Sequence, residues 1–211
     1  MAENTDLWQI ERDLTEQGIR IICGCDEAGA GPLAGPVYAA AVILPPYCQI
    51  EGLNDSKKLT EKKREALYEV ITQKAVCWAV ARMEAAEIDA TDILSARMKA
   101  MQQAMDALTI QPEIALIDGN RDKGRSAAIT TPHKLVVGGD GKSASIAAAS
   151  ILAKVSRDRF VAGELDERYP QYQFAKHKGY GTKLHYEMLG KFGPCPEHRR
   201  SFLKKWEEKR I

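Results

Sequence analysis

No uninterrupted apolar run in the sequence approaches the roughly 20 residues of a bilayer-crossing helix, which excludes a helical membrane protein. A secretory leader is not expected either. The opening MAENTDLWQI carries acidic and polar residues where such a signal needs a basic start and an apolar stretch, so a cytoplasmic protein is expected. The five cysteines, Cys23, Cys25, Cys48, Cys77 and Cys195, form no CxxC pair. Neither a zinc site nor a dithiol redox centre is indicated, and buried thiols in a reducing compartment are expected. The four histidines, His133, His177, His185 and His198, lack HExxH spacing, which argues against a zinc hydrolase. Excess charge is absent too: a net charge of +1 says nothing for or against nucleic acid, because binding depends on a local patch. No internal repeat, low-complexity tract or Pro/Gly/Ser-rich linker divides the chain.

What is present fits one sizeable globular domain, or a main domain with a small appendage, in 211 residues that are 45% hydrophobic and 28% charged. Residues 7–17 read as a short helix. IRIICGCDEAG reads as a strand running into a glycine turn, and VYAAAVILP as a second strand closed by Pro45 and Pro46, together a hairpin. Cys23 and Cys25, two apart on the first strand, share a face. Thr60 is placed to cap a helix carrying Leu67, Val70 and Ile71, and AVCWAVARM alternates as a third strand. Leu94, Met98, Met101, Met105 and Leu108 recur at helical spacing and are expected in the core. Two short strands follow, EIALID and HKLVVGGD, separated by the irregular GNRDKGRSAAITTP, and a long helix opens at Ser143. Hairpin strands followed by strands alternating with helices imply an α/β class, a mixed sheet with helices packed on it. The chain after Tyr169 and Pro170 lacks strand signals and reads as helical. Basic residues crowd there from Lys176 to Lys209, Arg199 and Arg200 among them, interleaved with Tyr180, Tyr186, Phe192, Phe202 and Trp206. Composition alone fits a solvated amphipathic pair of helices and a nucleic-acid surface equally well.

Acidic residues stand at the ends of three apolar strands: Asp26 with Glu27, then Asp118, then Asp140. Ligands of open α/β sheets sit outside strand ends, so these four acids can converge on one point. Neighbouring carboxylates resist joint ionisation unless divalent cations are bound, and an all-oxygen set favours magnesium or manganese over zinc. Two such ions about 4 Å apart suit an in-line phosphodiester displacement. Any single Asp before a glycine, such as Asp118 or Asp140, is explained as well by turn chemistry; it is the joint pattern that points to metal.

Two glycine-rich runs mislead. GAGPLAG precedes a strand rather than a helix, and VVGGDGKS has Val136 where a phosphate-binding loop needs its first glycine, so no nucleotide cofactor is supported. A turn before a helix start remains at Lys142 and Ser143, where backbone amides can meet a phosphate, or Ser143 can simply cap the helix. Asn54, Asp55, Ser56, Lys57 and Lys58 form a polar loop suited to a nucleic-acid backbone.

The segments CDEAGAGPLAGPV, LNDSKKLTEKKRE, LIDGN, GDGKSASIAAASILAKVSRDR, HKGYGT and EHRRSF, in this order and spacing, resemble bacterial ribonuclease HII over nearly the whole chain. The resemblance implies a ribonuclease H-like mixed sheet flanked by helices, with an N-terminal helical extension over residues 1–19, a catalytic domain over 20–168 and a C-terminal helical substrate-binding subdomain over 169–211. It implies Mg2+ or Mn2+ at Asp26, Glu27, Asp118 and Asp140. The substrate it implies is an RNA–DNA hybrid, or duplex DNA containing ribonucleotides, cut 5′ of a ribonucleotide to leave a 5′-phosphate and a 3′-hydroxyl. A tight Gly-Arg-Gly turn and a sugar-stacking tyrosine sense the 2′-hydroxyl in that family; they map to Gly29, Ala30, Gly31 and Tyr180. Ser56, Lys57, Lys142 and Ser143 complete the expected substrate contacts. Ala30 replaces the arginine, and Gly138 stands where many relatives have lysine, so two positive charges are missing. Retained activity with weaker substrate binding is expected, by a monomer. Two alternatives stay open: another two-metal nuclease of the same fold, and a catalytically weakened nucleic-acid-binding homologue.

Overall fold

The computed structural model describes residues 6–208; residues 1–5 of the expected N-terminal extension, and Lys209 of the basic segment, lie outside the described residues. The chain runs through α1 (Gln9–Glu16), β1 (Ile22–Ala28), β2 (Val37–Ile43), α2 (Glu61–Lys74), β3 (Cys77–Met83), α3 (Ala85–Ala90), α4 (Ile93–Asp106), β4 (Ile114–Asp118) and β5 (His133–Val136). The long helix α5 (Ala144–Phe160) continues through a π-helical turn into α6 (Asp166–Arg168), and α7 (Phe174–His177), α8 (Lys183–Phe192) and α9 (Arg200–Glu208) follow.

The five strands form one mixed sheet in the order β3-β2-β1-β4-β5. The β3, β2 and β1 strands pair antiparallel, as the hairpin reading anticipates, whereas β4 and β5 run parallel to β1. The parallel register sets Cys25 beside Ile117, so one residue further along Asp26 and Asp118 are neighbours across the β1–β4 seam.

Alternation along β1 assigns its side chains to two layers. Cys23 and Cys25 enter the core formed with α4, which buries Met98, Met101 and Met105 as the methionine spacing implies. Gly24 and Asp26 face the opposite layer, where α2 and α5 pack on Ala40 and Val42 of β2. That second layer is thin because it is built from small residues. Ala144, Ala147, Ala148, Ala149 and Ala153 of α5 are all buried, and a Cβ at Gly24 would overlap the backbone of Ser145. Strand and helix therefore touch main chain to main chain, which brings α5 close to the strand end that carries Asp26.

Local chemistry sets the ends of these helices. Thr60 caps α2 by accepting from the Lys63 amide, and Ser143 caps α5 by accepting from the Ile146 amide. The α5–α6 helix stops before Pro170, which cannot continue it. Beyond it, Tyr172, Phe174, Met188 and Cys195 join Tyr38, Phe160, Val161 and Leu165 in a separate cluster that fastens the C-terminal helices to the end of the sheet.

Candidate active site

Carboxylate oxygens of Asp26, Asp118 and Asp140 lie within 4.8 Å of one another. Asp26 and Asp118 arrive on adjacent strand ends. Asp140 does not: β5 stops at Val136, Gly138 turns the chain at φ +65°, and Asp140 sits in the 3-10 turn Gly139–Gly141 that leads into α5. The strand-end placement expected for it is therefore corrected. The close seat of α5 on β1 brings this turn within reach, and the Gly139 amide donates to Asp118 Oδ1 at 2.6 Å.

Glu27 does not join this trio among the described residues. It follows Asp26 on a strand, so it faces the α4 side of the sheet, where its Oε1 meets the Arg97 guanidinium at 2.5 Å. Its Oε2 is buried and has no hydrogen-bond partner. Glu27 still lines the same cleft of about 230 Å³ as Asp26 and Asp118. That cleft is also bounded by Gly29, Ala30, Ser56, Lys57, Arg64, Ser150, Lys154 and Tyr180.

The electrostatics are those of acids crowded out of water. Burial raises the Asp26 pKa well above the usual carboxylate range, and the charges of Glu27 and Asp118 add to it, against a hydrogen bond from Ser150. Burial also raises Glu27, opposed by Arg97, and raises Asp140, opposed by Lys57. Lys57 Nζ donates to Asp140 Oδ2 at 3.1 Å. For Lys57 itself, burial works against the charge, but the bond and charge of Asp140 outweigh it and raise its pKa. The neighbouring Ser56 is buried, with its hydroxyl 2.8 Å from that of Ser150.

The expected substrate contacts fall into two groups. Gly29, Ala30, Ser56, Lys57 and Tyr180 share the cleft, with Tyr180 half-exposed and the cations of Arg157 and Lys154 about 5.7 Å and 5.8 Å from its ring centroid. Gly31 lies exposed at the rim of that turn. Lys142 and Ser143 are not brought to the cleft. Ser143 is fully buried, with its hydroxyl donating to Glu11 Oε1, and Lys142 Nζ donates to the Val137 carbonyl.

Two residues to which the sequence reading gave no role at the site hold the glycine turn. Arg199, expected in a basic surface segment, is fully buried; it donates to the carbonyls of Gly29 at 2.7 Å, Ala30 at 3.1 Å and Gly35 at 2.8 Å. Arg157, equally buried, donates to the carbonyls of Ala34, Pro36 and Lys178. A Cβ at Gly29, where φ is +94°, would overlap the Arg157 side chain, so glycine is required there on two counts. Behind Tyr180, a chain of imidazoles supports the HKGYG turn. His185 Nδ1 bonds the Tyr180 carbonyl at 2.9 Å, its Nε2 meets His198 Nε2, and His198 Nδ1 accepts from the Cys195 amide at 3.0 Å.

Known proteins match this chain along most of its length. The family model described as Ribonuclease HII matches residues 23–207. A protein named Ribonuclease HII from Idiomarina loihiensis is 57% identical over 182 residues, covering 86% of this chain and 95% of that one. Another, from Caldicellulosiruptor bescii, is 49% identical over 204 residues, covering 97% of each. Among solved structures, the ribonuclease H2 of Pyrococcus horikoshii OT3 superposes with a TM-score of 0.72 at 25% identity, covering 90% of this chain and 98% of that one.

Proposed function

The chain belongs to the ribonuclease HII family of ribonuclease H endonucleases, and from that premise we propose that it hydrolyses the RNA strand of RNA–DNA hybrids and incises 5′ of ribonucleotides in duplex DNA. The products in this reading carry 5′-phosphate and 3′-hydroxyl ends, and the enzyme works in the cytoplasm. The observation that carries the proposal is the meeting of Asp26, Asp118 and Asp140 beside a turn whose backbone is held open to the cleft.

The acids fit a hard divalent cation. Three carboxylates converge, two of them with pKa values raised by burial and like charge, and a buried Glu27 oxygen nearby has no partner. A cation relieves each of these costs, and an all-oxygen set selects Mg2+ or Mn2+. Asp26, Asp118 and Asp140 would hold the ion, with Glu27 as a further ligand. When bound, a pair of such ions supplies Lewis-acid activation of water and neutralises charge on the leaving oxygen.

The protein's own part is to place the ribose. The Gly29 and Ala30 carbonyls accept from Arg199, and in a trans peptide the N–H points opposite to the C=O. The amides of Ala30 and Gly31 therefore point away from Arg199, where a 2′-hydroxyl can meet them as donors. Tyr180 offers a face on which the adjoining sugar stacks, and Lys57 and Lys154 bring positive charge to the phosphates. The basic C-terminal helices extend this surface along the duplex.

The test is a duplex carrying one ribonucleotide, incubated with the protein and Mg2+ beside an all-DNA duplex. Incision on the 5′ side of the ribonucleotide, with the control intact, is expected. Cutting of the control would instead mark a nuclease blind to the 2′-hydroxyl, and binding without cutting a module that has lost catalysis.

A further inference from the structure

Arg97 is the residue whose placement has the widest consequence. It stands on α4 between the buried Met98 and the half-buried Leu94, a position that core packing alone would fill with an apolar side chain. Instead its guanidinium reaches across the sheet end to Glu27 Oε1 at 2.5 Å. The pair is made through one contact and is not bidentate. Arg97 Nε is buried without a partner, and so is Glu27 Oε2. One buried donor and one buried acceptor at this contact are thus unused, which general packing would not leave.

Charge is divided unequally around the cleft. Asp140 is paired with the exposed ammonium of Lys57, which is 75% accessible and free to swing into solvent when a stronger cation arrives. Arg97 is different. Its side chain is 28% accessible and that of Glu27 is 12% accessible, and the Nε at the end of the Arg97 stem is buried. A fixed positive charge therefore sits against Glu27, the acid outside the trio, whereas Asp140 within the trio is guarded only by a mobile one.

Resting on the metal-site reading above, we propose that Arg97 sets the occupancy of the cluster: Asp26, Asp118 and Asp140 hold one divalent cation tightly, while Arg97 neutralises Glu27 and keeps the second cation weak. Arg97 acts here through Glu27 and touches neither substrate nor the reacting atoms.

The measurement is Mn2+ binding to the whole protein, by the electron-spin resonance of free Mn2+ and by calorimetry, with no substrate present. The wild type is expected to take up one ion tightly and a second far more weakly. Arg97→Gln is expected to tighten the second ion by at least about tenfold, because a fixed cation beside the site has been removed. Arg97→Lys keeps the charge and is expected to match the wild type. Asp118→Asn should lose the tight ion, which locates it at the cluster. A second ion equally weak or weaker in Arg97→Gln would overturn the proposal and make Arg97 a simple support for Glu27. Arg97→Lys behaving like Arg97→Gln would overturn it too. No Mn2+ uptake by the wild type would overturn the metal reading itself and this inference with it. Thermal melts of each variant establish that the binding curves come from folded protein.

Discussion

The Nε2 atoms of His185 and His198 face each other at 3.0 Å, and the backbone on either side decides which of them carries the hydrogen. The Tyr180 carbonyl can only accept, so His185 Nδ1 holds a proton; the Cys195 amide can only donate, so His198 Nδ1 is bare. His198 therefore donates to His185, and both rings are neutral. Protonating either bare nitrogen would set donor against donor.

Burial accordingly depresses both rings, His185 to about 4 and His198 to about 3, from 6.5. In that interval the unfolded chain binds more protons than the folded one. The contribution is therefore complete above the unfolded value of about 6.5 and is lost as the pH falls toward the folded values. For His185 alone it is on the order of 3 kcal/mol. Urea midpoints measured from pH 7 down to pH 4 should fall more steeply for the wild type than for His185→Phe. Equal slopes would show that the pair does not titrate as described. The comparison must be between proteins, since the raised carboxylates of Asp26, Glu27 and Asp140 contribute with the opposite sign.

Asp118 is one of the three cluster acids and also accepts the Gly139 amide. Asp118→Asn keeps the shape and removes a charge, so incision should fall by more than about 100-fold. Undiminished cutting would remove Asp118 from the mechanism.

At Ala30, restoring an arginine adds a guanidinium at the edge of the cleft without disturbing the carbonyl that Arg199 holds. One charge-assisted bond to a phosphate is worth about 1.5 kcal/mol, so Ala30→Arg should lower KM roughly tenfold and leave kcat nearly unchanged. Steady-state kinetics on the single-ribonucleotide duplex measure it, and an unaltered KM would mean that no phosphate passes this edge.

Arg199→Lys replaces a five-donor fork with a single ammonium that cannot span Gly29, Ala30 and Gly35 together. Stranded buried carbonyls should cost on the order of 3 kcal/mol in urea unfolding. Discrimination against an all-DNA duplex should weaken as well. A variant that loses stability yet keeps full discrimination would separate the clamp from ribose sensing.

Much of this was legible in the sequence. The β1–β2 hairpin, the Thr60 cap and the methionine stripe follow from turn residues, a capping hydroxyl and helical spacing, all of which are local. Separating Glu27 from the aspartates was also within reach, because neighbours on a strand face opposite ways. The six-residue α3 was missed because AAEIDA is too short to show a period. Asp140 was misplaced because the left-handed turn at Gly138, and not a change of hydropathy, ends β5. The clamping role of Arg157 and Arg199 left no signal, since their partners are main-chain carbonyls and composition reads arginine as surface.

The alanines between β1, β2 and α5 have a role that polar chemistry alone would hide. They act as a ruler: methyl-sized side chains fix how far the turn bearing Asp140 stands from the strand bearing Asp26. A site that must grip an ion across a few ångströms thus has its calibration written in residues that touch neither ion nor substrate. An enlargement by one carbon, such as Gly24→Ala, should widen the grip and cost about 3 kcal/mol or more, measurable as a lowered urea midpoint with weakened Mn2+ uptake. Retained uptake in a destabilised Gly24→Ala would show that the gauge lies elsewhere.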